Sequence, residues 1–189
     1  MRVYITMKLL ALDIGNVCVK INFVNFAQSL KLDKISEVLV DLQRELECGI
    51  TTDEAFIYAV AMACHCDPVT ALNAFNSILI EAIPGMDELI STLDEYGFEA
   101  RFFSDISLTH LTRTHELFPA AQFVPDGMYS FVAGAQKPAE EMFAAFEEKF
   151  GTPALYVDDR LELIEAARKR NWNAIQFTTA SALKDALKQ

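Results

Sequence analysis

From Pro84 onward, short apolar runs alternate with segments of helical spacing, and this alternation limits the available folds more than any other feature. Met86 to Tyr96 has helical spacing and is closed by Gly97. Glu99 to Phe103 then reads as a strand ending at Ser104-Asp105, and Leu108 to Phe118 returns to helical spacing. A short strand around Met128 to Val132 runs through Gly134-Ala135-Gln136-Lys137-Pro138 into a helix over Ala139 to Phe150. Ala154 to Val157 is an apolar strand ending at Asp158-Asp159, followed by the helix Leu161 to Arg170, the strand Ala174 to Phe177 and a last helix after Thr179. Strands and helices alternating at these lengths predict right-handed crossovers and a parallel sheet covered on both faces, an α/β class. Val3 to Leu12 adds one more buried strand, which ends at Asp13-Ile14-Gly15-Asn16.

Between that first strand and Pro84 the pattern is helical. Ile35, Val38, Leu39, Leu42 and Leu46 fall at three- and four-residue steps, with Gly49 as the stop. Thr51-Thr52-Asp53-Glu54 has capping-box spacing before Ala55 to Cys64, and Asp67-Pro68 opens another helix with Pro at its favoured first position. No strand is expected there. The partition is an α/β core of residues 1–18 and 84–189 interrupted by an all-helical insert of residues 19–83. In parallel sheets ligands bind beyond the carboxyl ends of the strands, where this insert leaves the chain, so it is placed like a lid.

Charge narrows the partners. The 189 residues include 16 Lys+Arg against 27 Asp+Glu, a net charge of −11. The short basic run Arg168-Lys169-Arg170 closes a helix, where it complements the helix dipole. Nothing offers the clustered cations that nucleic acid or an anionic membrane surface requires. An anionic small molecule must therefore be met by a few local cations, backbone N–H groups or a metal. Cys64-His65-Cys66 has no second Cys/His pair to complete a zinc site, and the four cysteines read as thiols in a reducing compartment. Lys8 and Asp13 interrupt the N-terminal apolar stretch before a signal core forms. Ala55 to Cys64 is about half of the ~20 residues a membrane span needs. The expectation is a soluble, cytoplasmic protein; oligomeric state has no signature.

Four polar clusters stand at the carboxyl ends of successive expected strands: Asp13, Ser104-Asp105, Lys137 and Asp158-Asp159. A carboxylate nucleophile, a hydroxyl, a lysine and paired metal-capable carboxylates are what phosphoryl transfer through an aspartyl-phosphate requires. Asp13 attacks phosphorus, and Mg²⁺, a hard cation suited to oxygen ligands, cancels the repulsion between anionic nucleophile and anionic phosphate. Lys137 neutralises developing charge, and Ser104 donates a hydrogen bond to a phosphate oxygen.

With these residues in place the sequence resembles the haloacid dehalogenase-like (HAD) hydrolases, specifically phosphatases with a small helical cap after the first motif. Leu-Leu-Ala-Leu-Asp13-Ile-Gly-Asn-Val is similar to the first motif in its "DxGNV" form, and Phe-Phe-Ser104-Asp to the second. Gly134-Ala-Gln-Lys137-Pro is similar to the third and Leu-Tyr-Val-Asp158-Asp159-Arg to the fourth. Cys48 to Phe56 resembles a cap segment, and Ile83-Pro84-Gly85 the return into the core. The resemblance implies a Rossmann-like three-layer core with a parallel sheet and a small all-helical cap. It implies Asp13 as nucleophile, with Ser104, Asp105 and Lys137 on the substrate. It also implies Mg²⁺ held by Asp13, the Gly15 carbonyl and Asp158, with Asp159 beside it. The substrate it implies is a small phosphorylated metabolite, with sugar phosphates among the candidates.

One departure matters. The usual first motif carries a second aspartate two residues after the nucleophile, where it protonates the leaving alkoxide and then activates water. Here that position is Gly15. General acid-base catalysis is worth ~10²–10⁴-fold, so its loss raises the barrier by about 3–5 kcal/mol. The "DxGNV" subgroup often carries acids a few residues downstream, where this chain has Lys20 and Asn22; Asp105 is a conceivable stand-in. Three readings follow: a phosphatase of low or restricted activity, a catalytically impaired protein that senses a phosphorylated ligand or partner, and a haloacid dehalogenase. The acid pair Asp158-Asp159 disfavours the last, since dehalogenases use no metal.

Overall fold

The computed structural model describes residues 7–188. Its elements in order are β1 (Lys8–Leu12), β2 (Val19–Ile21), α1 (Phe23–Ser29), α2 (Glu37–Glu47), α3 (Asp53–Ala63), α4 (Pro68–Asn76) and β3 (Leu79–Ala82). There follow α5 (Met86–Ser91), β4 (Phe98–Ser104), α6 (Leu108–Leu117), β5 (Gly127–Tyr129), α7 (Ser130–Ala133), α8 (Glu140–Phe150), β6 (Leu155–Asp158), α9 (Leu161–Lys169), β7 (Ala174–Gln176) and α10 (Ala180–Leu187). The part of the first expected strand over Val3 to Thr6 lies outside the described residues.

Five strands form one sheet in the order β5-β4-β1-β6-β7, every pairing parallel. β1 lies at its centre because Leu10, Ala11 and Leu12 are completely buried and need neighbours on both edges and both faces. Alternation of side chains then sorts two cores. Leu10, Leu12, Phe102, Leu155 and Val157 face one side, in a core with Met86, Leu89 and Ile90 of α5 and Leu183 and Leu187 of α10. Ala11, Phe103, Tyr156 and Ala174 face the other, against Met142, Phe143 and Phe146 of α8 and Ile164 and Ala167 of α9. On that second face Phe103 packs against the rings of Phe143, Phe146, Tyr156 and Trp172 at centroid distances of 5.0–5.6 Å. The result is the expected three-layer α/β architecture.

Register places the strand ends together. Leu12 is level with Phe102 of β4 and with Val157 of β6, so one residue further Asp13 is level with Phe103 and Asp158.

Residues 19–83 depart from the all-helical expectation at both ends: β2 and β3 pair antiparallel beside the site. The strands are three and four residues long and some sixty residues apart in sequence, so no local period marks them. The helices between are capped by Ser36, Thr52 and Asp67, each accepting from an amide in the first turn. The cap of α3 is thus Thr52 rather than Thr51, which moves Glu54 out of the capping-box position. Two further boundaries shift. The helix expected to Tyr96 ends at Ser91, where the Ser91 and Thr92 hydroxyls turn back onto the Glu88 carbonyl, and a 3₁₀ turn over Leu93–Tyr96 follows. The strand expected to Val132 stops at Tyr129, because the Ser130 hydroxyl exchanges hydrogen bonds with the Ile106 backbone and turns the chain into α7. Among the described residues no single helix is long and apolar enough to cross a membrane.

Candidate active site

Asp13 follows β1 and is 6% exposed, with its amide donating to the Val157 carbonyl. The chain then folds into a single turn, with the amides of Val17, Cys18 and Val19 all directed at the Ile14 carbonyl. Asn16 adopts the left-handed conformation this turn needs, which Asn tolerates better than most residues. Its side chain ties three pieces together, donating to Asp159 Oδ2 at 3.1 Å and accepting from the Ile21 amide.

Lys137 is the centre of the arrangement. Its side chain has no exposure, and Nζ donates to Asp13 Oδ1 at 2.9 Å, Asp158 Oδ2 at 2.7 Å and the Phe103 carbonyl at 2.9 Å. Nζ also lies 5.3 Å from the centroid of the Phe103 ring, which packs against α8. Asp158 is fully buried: Oδ2 also accepts from the Tyr156 hydroxyl, and Oδ1 accepts from the Arg160 amide, which leaves one lone pair of Oδ1 for a metal.

The electrostatics follow from burial opposed by pairing. Burial pushes Asp13 up to about 7, with Lys137 pulling the other way and Asp158 adding to the rise. Burial also works against the charge of Asp158, but Lys137, Tyr156 and the Arg160 amide more than offset it, and its pKa lies below the ordinary value. Desolvation opposes the Lys137 ammonium too, yet the surrounding acids hold its pKa well above the usual range. One buried cation thus faces two carboxylates, and Asp159 stands beside them. Oxygens of Asp13, Asp158 and Asp159 lie within 4.8 Å of one another. Three hard oxygen donors at that separation suit Mg²⁺.

A cleft of about 530 Å³ opens above these residues. Asp13, Gly15, Ser104, Asp105 and Asp159 line it from the sheet edge, and Ile21, Phe23 and Glu47 from the segment over residues 19–83. The structure therefore brings all the sequence-expected residues to one end of the sheet. Asp105 is committed there, with Oδ1 accepting from the Lys137 amide and Oδ2 from the Arg160 guanidinium at 3.1 Å. Gly15 is not demanded by space: a Cβ there would crowd the flexible Ile21 Cδ1 at 3.2 Å and otherwise make ordinary contact with Asp13 Oδ2 and Ile21 Cγ1 at 4.0 Å. Tyr156, Arg160, Gln136 and Glu47 were not singled out from sequence. Tyr156 was accessible to that reasoning, since two residues along a strand share a face with Asp158. Glu47 was not, since its partner Gln136 is 89 residues away.

Neither a protein-family profile nor a curated protein sequence matches the chain. Solved structures do. A HAD family enzyme from Bacteroides thetaiotaomicron, in its magnesium complex, superimposes with a TM-score of 0.85 at 18% identity, covering 97% of this chain and 100% of that one. This chain has the HAD-like fold. A predicted HAD-like family hydrolase from Porphyromonas gingivalis gives 0.80 at 17% identity over 97% and 99% of the two chains. A dehalogenase solved with an intermediate complex also shares the HAD-like fold, at 0.68 and 12% identity over 97% and 98%.

Proposed function

We propose that the protein is a Mg²⁺-dependent phosphoric monoester hydrolase that works through an aspartyl-phosphate on Asp13. The observation that carries this reading is the placement of Asp13, Asp158 and Asp159 within 4.8 Å of one another around a fully buried Lys137. Asp13, the Gly15 carbonyl and Asp158 would hold the ion, with Asp159 beside it, and its charge offsets the repulsion between carboxylate and phosphate. Asp13 Oδ1 is fixed by Lys137, which aims the carboxylate and leaves Oδ2 as the attacking oxygen. Ser104 lines the cleft and would donate to a phosphate oxygen. Lys137, expected from sequence to contact the phosphate too, is buried with its three N–H groups engaged and acts by holding Asp13 and Asp158; Asp105 orients the Lys137 backbone and Arg160. Residues 19–83 form the lid over the cleft, whose volume suits a small phosphorylated metabolite such as a sugar phosphate.

The B. thetaiotaomicron enzyme has also been solved with magnesium and inorganic phosphate, which supports the same class of ligand here. The dehalogenase neighbour keeps a second reading in view, but the paired acids at 158 and 159 favour a metal and therefore phosphate. Four free thiols accord with a cytoplasmic setting. The test is release of the phenol from an aryl phosphate with Mg²⁺ present. Turnover is expected in the parent protein and lost in Asp13→Asn and after chelation. Phosphate binding without any turnover would instead assign the protein as a sensor of a phosphorylated ligand.

A further inference from the structure

Glu47 is the last residue of α2, and its carboxyl leans across the cleft to the loop that carries Lys137. Oε2 accepts from Gln136 Nε2 at 2.6 Å and Oε1 from Gln43 Nε2 at 2.8 Å. Among the described residues four carboxylates line this cleft: Asp13, Glu47, Asp105 and Asp159. Three have other duties, since Asp13 is the nucleophile, Asp159 stands with the metal ligands and Asp105 is ion-paired to Arg160. The downstream loop positions are also occupied: Lys20 pairs with Glu81 at the surface, and Asn22 caps α1.

We propose that Glu47 is the acid-base group of this active site, taking the role that position 15 lacks. The inference rests on the phosphatase reading above. In the first step Asp13 Oδ2 bonds to phosphorus and the bond from phosphorus to the ester oxygen breaks. That oxygen keeps the electron pair, takes the Glu47 proton and departs as the alcohol. In the second step ionised Glu47 takes a proton from water as the water oxygen attacks phosphorus. The bond to Asp13 breaks with its electrons returning to the carboxylate, phosphate leaves, and Glu47 is protonated again.

The environment fits both steps. Burial pushes Glu47 up to about 7, opposed by the Gln43 amide, assisted by Asp105, and opposed again by Gln136 and Arg160. An acid with its pKa near the working pH is available in both forms. Its two contacts are neutral side-chain amides, which can present either N–H or carbonyl oxygen and so serve the ionised or the protonated carboxyl. Asp105 lacks that freedom because its partners, a guanidinium and a backbone amide, are donors alone.

The decisive experiment compares first-turnover release of the alcohol from glycerol phosphate, a poor leaving group, with release of the phenol from nitrophenyl phosphate, a good one. Glu47→Gln keeps the shape and the amide contacts but has no proton to give. It is expected to lower the glycerol-to-nitrophenyl rate ratio by about 10²-fold or more, and adding Gly15→Asp in that background is expected to restore much of it. An unchanged ratio, or equal losses on both substrates, overturns the proposal. The parent protein supplies a second measurement that does not depend on any variant folding. Its glycerol phosphate rate should fall with rising pH above about 7 while the nitrophenyl phosphate rate does not. A flat glycerol phosphate profile also overturns the proposal. Absence of Asp13-dependent nitrophenyl phosphate turnover removes the phosphatase reading itself and the role of Glu47 with it, an outcome distinct from an unchanged ratio in an active enzyme.

Discussion

Lys137 shares one ammonium between Asp13 and Asp158, and neither the lysine nor Asp158 reaches solvent. Removing one member of such a set leaves buried charge without compensation, which costs about 3–5 kcal/mol. Lys137→Ala is therefore expected to lose that much stability in urea denaturation without metal. The sign of its pH dependence follows from Asp13, whose folded-state pKa already lies above the ordinary value. Without the lysine it rises further, so the folded state holds a proton the unfolded state releases, and the deficit grows as pH rises through neutrality. A deficit that shrinks between pH 5 and 8 would contradict the pairing described here. At this scale the sequence was informative about candidate residues at strand ends: Asp13 follows β1, Ser104 closes β4, and Asp158 closes β6 with Asp159 next, whereas Lys137 comes not at the end of β5 but in the loop beyond α7. It was uninformative about Glu47 and Gln136, whose meeting depends on how α2 leans over the sheet rather than on any local period.

The close approach of α2 to α7 depends on one residue. Gly49, just past its end, has φ +67, and a Cβ there would stand 2.4 Å from the Phe131 carbonyl oxygen of α7. Gly49→Ala must both strain the backbone and push α2 from α7, with an expected loss of about 1–3 kcal/mol in thermal unfolding. Gly97→Ala is the control, because φ there is +74 but nothing lies within 4 Å, so only backbone strain remains. If the two variants melt alike, the close approach at Phe131 does not hold the helix. The apolar face of α2 and the start of α4 at Asp67-Pro68 were legible because helix signals are local, whereas the α3 cap lies one residue beyond its expected place and the α2 cap, Ser36, was not singled out. The antiparallel pair of β2 and β3 was not legible, since each strand becomes recognisable only when its partner arrives from the far end of the segment.

Across the whole molecule, a net charge of −11 says only that the surface repels anions; the fold concentrates part of that excess at one sheet end. Two effects of added Mg²⁺ must then be separated. General screening relieves repulsion across the surface and depends on ionic strength, whereas binding at the site proposed for Asp13, the Gly15 carbonyl and Asp158 would depend on the ion. At a concentration about 100 times its dissociation constant, a ligand that binds only the folded state adds about 2.7 kcal/mol. For a chain of this size that corresponds to roughly 5–10 °C in melting temperature. Mg²⁺ is expected to give such a shift, NaCl at equal ionic strength a clearly smaller one, and Asp158→Asn to remove the difference between them. Glu81→Gln, which alters an exposed acid paired with Lys20, should leave that difference intact. Equal shifts from the two salts would mean that the carboxylates at the sheet end act only as part of the general charge, and the metal-dependent chemistry proposed for Asp13 would lose its basis.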